Sequence, residues 1–288
     1  MGACPMSDRR TDRKCSPVTG TDRKSVSANL LQTMVNSMIR VSLLLLIAAH
    51  VGAAQVRIPG PGGIAPSGGG GGHAPTYLHS GAASTGGSDC ILTANVTAGD
   101  FLLIYGMSTT VTSNTLSVSD TNSNTYTAAI AQTTTSDNLT INRVWTATAS
   151  TTNAALSITV NVTSTTNSAY CLYEQYSGTS VALDQISLRT LTPSTSPMVT
   201  GTTGTTTQAN EEVIGLYGLA VVGGFDITAD TGFSFGDLGT SPVTNSSDAN
   251  WSEHKAVSAT GTYAVSSAIT TPANLTGGAG ITVTLKAN

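Results

Sequence analysis

The chain has 288 residues, of which 39% are hydrophobic, 10% charged and 5% aromatic. That length holds one or two domains, and the apolar content is enough for a folded core. From residue 55 onward, five basic residues stand against thirteen acidic ones, and so acidic a surface argues against nucleic acid as a partner because it repels phosphate.

The N-terminal region predicts export. Residues 1–37 form a polar extension that we expect to be disordered or to result from a mis-assigned start codon, since Thr-Asp-Arg-Lys occurs in it twice. Residues 38–54 predict a signal peptide: Arg40, an apolar run over 41–49, and small residues before a cleavage site at Ala53 or Ala54. A span needs about 20 apolar residues, so we expect no membrane span in the mature chain and a secreted, periplasmic or cell-surface location. A buried helix or a signal anchor is the alternative.

Residues 55–75 are rich in glycine and proline and predict a flexible linker without a core. Beyond it the chain retains two cysteines, Cys90 and Cys171. In an oxidising compartment two thiols most simply pair, so we expect a disulfide between them. Two buried free thiols are the alternative.

Residues 76–288 predict one all-β domain, an antiparallel β-sandwich, because short apolar or alternating runs follow one another without helical periodicity. Residues 156–162 alternate strictly between apolar and polar, which is typical of a strand with one solvent-exposed face. Residues 101–105 are continuously apolar, which indicates a central strand covered on both faces. Between two strong strands, residues 97–100 predict a hairpin turn. The predicted strands are 76–79, 90–96, 101–107, 115–119, 125–129, 142–147, 156–162, 169–176, 184–189, 212–220, 252–257, 262–268 and 281–285.

Four short motifs carry a resemblance to a known class of module. Residues 117–126 read Ser-Val-Ser-Asp-Thr-Asn-Ser-Asn-Thr-Tyr, which resembles the S-V-x-D-x-x-x-N-x-Y hairpin of secreted bacterial jelly-roll modules. Residues 143–145, 173–178 and 207–215 fit the same pattern in order. The resemblance implies an extracellular, jelly-roll-like sandwich of the kind that accompanies carbohydrate-active and cell-surface proteins, and it implies little about the ligand.

Asp120, Asn122 and Asn124 have the one-three-five spacing of a calcium loop. The match then fails, because Thr125 replaces the turn glycine and Ala131 stands where the bidentate glutamate belongs. These residues are therefore candidates for structural calcium, the one cofactor that we consider. The alternative is a turn in which Asp and Asn bond their own backbone.

The sequence identifies no catalytic residues and favours a non-catalytic role. Glu174 is the best candidate acid, since its strand face also carries Tyr170, Leu172 and Tyr176, so burial would raise its pKa. A glycosidase needs a second carboxylate about 5–9.5 Å away, and the sequence identifies no partner for it. We expect Glu211 and Glu212 to flank a turn.

The sequence favours binding of a polysaccharide or a cell-surface glycan. Sugars stack on exposed aromatic rings and bond to neighbouring polar groups, and Trp251, with Asn250 and Asp248 beside it, is the candidate ligand site. Trp145 lies within a strand pattern and is expected in the core. The predicted function is a secreted, non-catalytic carbohydrate-binding, cell-surface or adhesion module. The alternatives are a polysaccharide-acting hydrolase or lyase, and a structural matrix or filament protein.

Overall fold

The computed structural model describes residues 73–85, 89–109, 114–136, 139–163, 168–177, 180–238, 243–245 and 248–287. The predicted extension, the signal peptide and nearly all of the linker lie outside the described residues. The regular secondary structure of these residues is almost entirely strand, as predicted, with 3-10 turns at Gly236–Leu238 and Pro272–Asn274. None of the described helices has the length and hydropathy needed to cross a lipid bilayer.

The first half of the described chain contains eight strands. They are β1 (Thr76–Thr85), β2 (Asp89–Val96), β3 (Phe101–Thr109), β4 (Leu116–Asp120), β5 (Thr127–Thr134), β6 (Thr140–Thr148), β7 (Asn153–Val162) and β8 (Ala169–Ser177). They form a five-stranded sheet of order β1-β8-β3-β6-β5 and a three-stranded sheet of order β2-β7-β4. All pairs are antiparallel.

The second half repeats this arrangement. Its strands are β9 (Val181–Leu191), β10 (Met198–Val199), β11 (Asn210–Val221), β12 (Ile227–Thr228), β13 (Val243–Asn245), β14 (Asp248–Ser258), β15 (Ser266–Ile269) and β16 (Leu275–Ala287). The sheets are β13-β14-β11-β16-β9 and β10-β15-β12. Counted within each half, both five-stranded sheets have the order first, eighth, third, sixth, fifth, and both three-stranded sheets the order second, seventh, fourth.

The four sheets stack as four layers with three cores between them. A core that includes Cys90, Ile104 and Ile158 fills the first sandwich, and one that includes Tyr217, Leu219 and Ile269 fills the second. Between these two cores the five-stranded sheets pack face to face around Leu103, Ile214 and other apolar residues. The antiparallel β-sandwich is confirmed, while its assignment as a jelly roll and the single domain boundary at 76–288 stay predictions.

The two five-stranded sheets meet in opposite order. β1 lies against β13, β8 against β14, β3 against β11, β6 against β16 and β5 against β9. When the strands are numbered one to eight within each half, the first strand of one half therefore faces the fifth strand of the other. In the same way the eighth faces the sixth, and the two third strands face each other. This reciprocal pairing is the pattern of a two-fold dimer interface, here made within one chain.

The strongest strand predictions agree with the structure. β3 is central in its sheet and buried on both faces, and β7 alternates between the core and the outer surface. Thr97–Asp100 does form a turn, with the Asp100 amide donating to the Thr97 carbonyl at 3.0 Å. It is not a hairpin, however, because β2 and β3 belong to different sheets. The chain crosses from one layer of the sandwich to the other at this turn.

The predicted disulfide is confirmed. The Cys90 and Cys171 sulfur atoms are 2.04 Å apart, and both side chains are buried in the first core. The bond joins β2 to β8 and therefore ties the outer sheet of the first half to its five-stranded sheet.

Candidate functional site

An open cleft of about 390 Å³ lies at one end of the first five-stranded sheet. Its volume falls within the range of about 300–1,000 Å³ that is common for small-molecule sites. The lining includes Asn124, Phe101 and Ala147 and contains no ionisable group. The Phe101 ring is largely buried, and the Ala147 side chain points into the first core. Six hydroxyl side chains complete it: Ser123, Thr125, Thr127, Thr146, Thr148 and Ser150.

Strand pairing creates the hydroxyl lining. On β6, Thr146 and Thr148 point to the same face because side chains two residues apart do so. Thr127 of β5 pairs with Thr146, and Phe101 of β3 pairs with Thr148. Two neighbouring strands, β5 and β6, thus place hydroxyl groups beside the largely buried Phe101 ring of β3.

The predicted calcium segment forms the turn that borders this cleft. Asp120 Oδ1 accepts the amides of Asn122 and Asn124 at 2.9 and 3.1 Å, and Oδ2 accepts Asn124 Nδ2 and the Tyr126 hydroxyl, both at 2.7 Å. Burial alone would raise the pKa of Asp120, but these hydrogen bonds outweigh it and lower the pKa.

The two asparagines are also engaged with the protein. Asn122 Oδ1 accepts from Asn153 Nδ2, and Asn124 Oδ1 accepts from the amide and hydroxyl of Ser150. The geometry is that of a turn closed by its own side chains. Calcium at Asp120, Asn122 and Asn124 stays a prediction, and it would have to displace these bonds.

Trp251 is not the exposed platform that the sequence indicated. Its side chain is 1% exposed and stacks on Tyr217, with ring centroids 4.7 Å apart and planes 10° apart. Asn250 and Asp248 are also buried. The expectation that Trp251 is exposed is therefore wrong, and the predicted stacking surface for a sugar is not present there. Trp145, in contrast, lies in the first core as expected.

Polar residues of β14 line one side of the contact between the halves. Asp248, Asn250, Ser252 and His254 alternate along the strand, and all but His254, which is partly buried, are fully buried. β14 lies against β8, whose corresponding face carries Tyr170, Glu174 and Tyr176. The Tyr170 hydroxyl donates to Asp248 at 3.2 Å. We call these seven residues, together with Glu212 of β11, the polar seam.

Glu174 and His254 form the ionisable centre of the polar seam. His254 Nδ1 lies 2.7 Å from Glu212 Oε1, and their side chains are 12% and 4% exposed. Glu174 is fully buried and accepts a hydrogen bond from the Tyr176 hydroxyl. The Tyr77 ring covers the imidazole in a stack with a centroid distance of 4.0 Å.

The pKa values of Glu174 and His254 are both shifted upward, by burial for Glu174 and by neighbouring carboxylates for His254. Burial raises the pKa of Glu174 above its ordinary value, although the His254 charge and the hydrogen bond from the Tyr176 hydroxyl oppose it. Burial alone would lower the pKa of His254, but its bond to Glu212 and the nearby carboxylates outweigh this, so that pKa is raised. Both groups therefore hold their protons to a higher pH than usual.

Several buried atoms of the polar seam have no hydrogen-bond partner among the described residues: Glu174 Oε1, Ser252 Oγ, His254 Nε2 and both side-chain amide atoms of Asn250. The prediction that Glu174 is buried is confirmed. Glu211 and Glu212 follow the bend at 207–209, as expected, but both are buried at the start of β11. Sequence reasoning missed the partners of Glu174 because the contact joins strands that are far apart along the chain.

The other side of β14 carries a second buried carboxyl group. Glu253 Oε2 accepts the Asp230 amide at 2.7 Å, and burial raises the pKa of Glu253 to about 7. As the alternation of a strand requires, Glu253 and His254 point to opposite faces of their sheet. The described residues contain no group of three or more His, Cys, Asp or Glu side chains placed to hold a metal ion.

Sequence reasoning also missed the cleft. The alternation of Thr146 and Thr148 on a strand was a usable signal, but nothing in the sequence indicated that the face they share is open at this end. No protein-family model, curated protein or solved structure matches the chain.

Proposed function

We propose that this chain is an exported, non-catalytic β-sandwich module that binds a neutral carbohydrate in the cleft beside Phe101. The observation that carries the proposal is the composition of the cleft: hydroxyl and amide groups beside the largely buried Phe101 ring, with no ionisable side chain among its lining residues. Export rests on the predicted signal peptide and fits the disulfide between Cys90 and Cys171.

The lining matches the chemistry of a sugar. Hydroxyl and amide side chains both donate and accept hydrogen bonds, which suits a ligand made of hydroxyl groups. Phe101 is the apolar residue on the same sheet face as Thr146 and Thr148, and its exposed edge is the apolar contact offered to a pyranose. Because acidic residues outnumber basic ones thirteen to five from residue 55 onward, a neutral glycan is favoured over an anionic one.

The acidic residues support binding rather than hydrolysis. A glycosidase places two carboxyl groups about 5–9.5 Å apart on either side of its substrate, and the cleft lining contains none. Glu174 and Glu212 are buried between two sheets, with their neighbouring His254 covered by Tyr77. These carboxyl groups therefore do not line the cleft, and both are shielded from solvent by the surrounding residues.

The irregular edge strands of the two five-stranded sheets favour a discrete binding module over a structural filament protein. Both edge strands of the first five-stranded sheet, β1 and β5, have shifts in register against their neighbours, as does the edge strand β9 of the second. Bulges of this kind twist an edge and discourage pairing with another chain.

A glycan array probed with the full secreted chain, with and without calcium, tests the proposal. Thr127 is exposed and lines the cleft, so Thr127→Arg fills it with a bulky cation. We expect binding to neutral glycans by the unaltered chain and at least a tenfold loss in the variant, about 1.4 kcal/mol.

Thr93→Arg is the matched control, because Thr93 is equally exposed on the outer face of β2 and away from the cleft. It should bind as the unaltered chain does. Equal binding by the Thr127→Arg and Thr93→Arg variants, or no binding of any neutral glycan by the unaltered chain, contradicts the proposal.

A further inference from the structure

On one side of the contact between the halves, ionisable groups lie among the apolar packing. We propose that the polar seam is a pH-dependent latch: it is closed while Glu174 and His254 both carry their protons, and it loosens as both protons are released to solvent. The inference is independent of the proposed carbohydrate site, since the cleft and the polar seam share no residue.

The charge balance of the polar seam depends on those two protons. With both in place, the His254 imidazolium pairs with the Glu212 carboxylate at 2.7 Å while Glu174 is neutral, so the three groups sum to zero. When both leave, two carboxylates face each other beside a neutral imidazole in a buried setting. A buried charge without a partner costs far more than an exposed one.

The surrounding groups add to this effect and do not cancel it. Asp237, on the 3-10 turn Gly236–Leu238, is a further carboxylate near His254, and its own nearest partner is His79 of β1 at 3.0 Å. Tyr77 and Tyr176 complete the titratable surroundings, and Asp248 lies farther along the same strand, bonded to Tyr170. These neighbours supply no lysine or arginine to compensate the two carboxylates.

The direction of the pH effect follows from the raised pKa values. A group whose pKa is higher in the folded state contributes stability below its unfolded pKa and loses it as the pH rises through the folded value. Glu174 and His254 are both of this kind. The latch is therefore tight in mildly acidic solution and weakens as the pH rises into the alkaline range.

The unpartnered atoms explain why this seam, and not the remainder of the contact, is the part that opens. Buried polar atoms without partners favour a state in which water reaches them, and five such atoms lie in the polar seam. The rest of the contact between the five-stranded sheets, near Leu103 and Ile281, is apolar and holds the halves together.

Hydrogen exchange of the β8 and β14 amides in the full chain tests the latch. Glu174→Gln mimics the protonated carboxyl group, and comparison with the unaltered chain at the same pH removes the intrinsic pH dependence of exchange. At pH 9 we expect exchange in the unaltered chain to be about tenfold faster than in the variant, the effect of one pKa unit of coupling. At pH 6 the two proteins should agree.

Glu253→Gln is the matched control, since it removes a buried carboxyl group from the opposite face of the same strand. At the β8 amides it should exchange as the unaltered chain does, because Glu253 faces the second core. Its own titration, with a pKa of about 7, acts on β14, so the β8 amides decide the comparison. Equal rates for Glu174→Gln and the unaltered chain at pH 9, or equal slowing by both variants, overturn the proposal. If Glu174→Gln does not fold, the unaltered chain still decides: after correction for intrinsic rates, β8 must lose protection between pH 6 and 9 while β2 and β7 keep theirs.

Discussion

The two halves of the molecule share one strand order but stabilise it by different means. In the first half the three-stranded sheet has strands of eight, ten and five residues, and a disulfide ties it to the sheet beneath. In the second half the corresponding strands have two, four and two residues. The described part of that half contains no cysteine.

Threonine hydroxyl groups compensate for the missing strand length. Thr200, Thr203 and Thr206 recur every third residue, and each accepts an amide from the segment 261–265, at 2.8, 2.9 and 3.2 Å. Their own amides donate back to carbonyls of the same segment. One strand order can therefore be maintained by a long backbone ladder or by a short one extended with side-chain bonds. The second form has fewer regular backbone pairs and should open more readily.

The largest expected effect comes from the two tryptophans, which occupy the sixth strand of each half. Trp145 on β6 and Trp251 on β14 are 3% and 1% exposed. Truncation of a buried aromatic residue costs about 3–5 kcal/mol, so Trp145→Ala and Trp251→Ala should each lower the free energy of unfolding by that amount in urea titrations.

A surface residue supplies the control for this comparison. Val222 is 64% exposed, and Val222→Ala should change the free energy of unfolding by less than about 0.5 kcal/mol. If Trp251→Ala behaved like Val222→Ala, the second core would not be as described, and an exposed Trp251 would have to be considered again.

Removal of the disulfide should affect the two halves differently, because the bond lies within the first half. The bond closes a separation of 81 residues, and loss of a native disulfide typically costs about 2–5 kcal/mol. In Cys90→Ala/Cys171→Ala, we expect hydrogen exchange to accelerate in β2 and β7, while β14 and β16 keep their protection. An equal loss of protection in both halves would show that the disulfide stabilises the molecule as a whole and that the halves are not distinct.

Much of the fold was predictable because apolar periodicity reports burial directly. The continuous run 101–105 became a central strand, and the alternating run 156–162 became an outer one. The strands β10, β12 and β13 were not predictable, since two or three residues are too few to show a period. The repeat of eight strands was also missed, because the matches between the halves are short: a Tyr-Gly pair at 105–106 and 217–218, and one tryptophan in each sixth strand.

Trp251 shows why the candidate site could not be predicted. Polar residues alternate with apolar ones along β14, a pattern that normally indicates a strand with one solvent-exposed face. Here both faces are covered: the polar one meets β8 in the polar seam, and the face with Trp251 meets the second core. The sequence shows which side chains are polar, but it does not show whether water or the polar side chains of another strand contact them.

The smallest expected effect tests the contact that both halves share. Gly218 lies on β11 opposite Tyr105 and Met107 of β3, and a Cβ added there would overlap the Tyr105 hydroxyl and come within 2.7 Å of Met107 Sδ. Tyr105 has little room to move, because its hydroxyl donates to Asn142 at 2.5 Å. Gly218→Ala should therefore lower the free energy of unfolding by about 1–3 kcal/mol, the usual cost of overpacking.

Gly224→Ala is the matched control, since a Cβ at Gly224 meets no atom within 4 Å; its urea titration should overlay that of the unaltered chain. Unlike the tryptophan and disulfide variants, Gly218→Ala acts where the third strands of the two halves face each other. Exchange should consequently accelerate in β3 and β11 together. Acceleration in β11 alone would mean that the halves do not pack through these faces, and the reciprocal pairing of the sheets would be wrong.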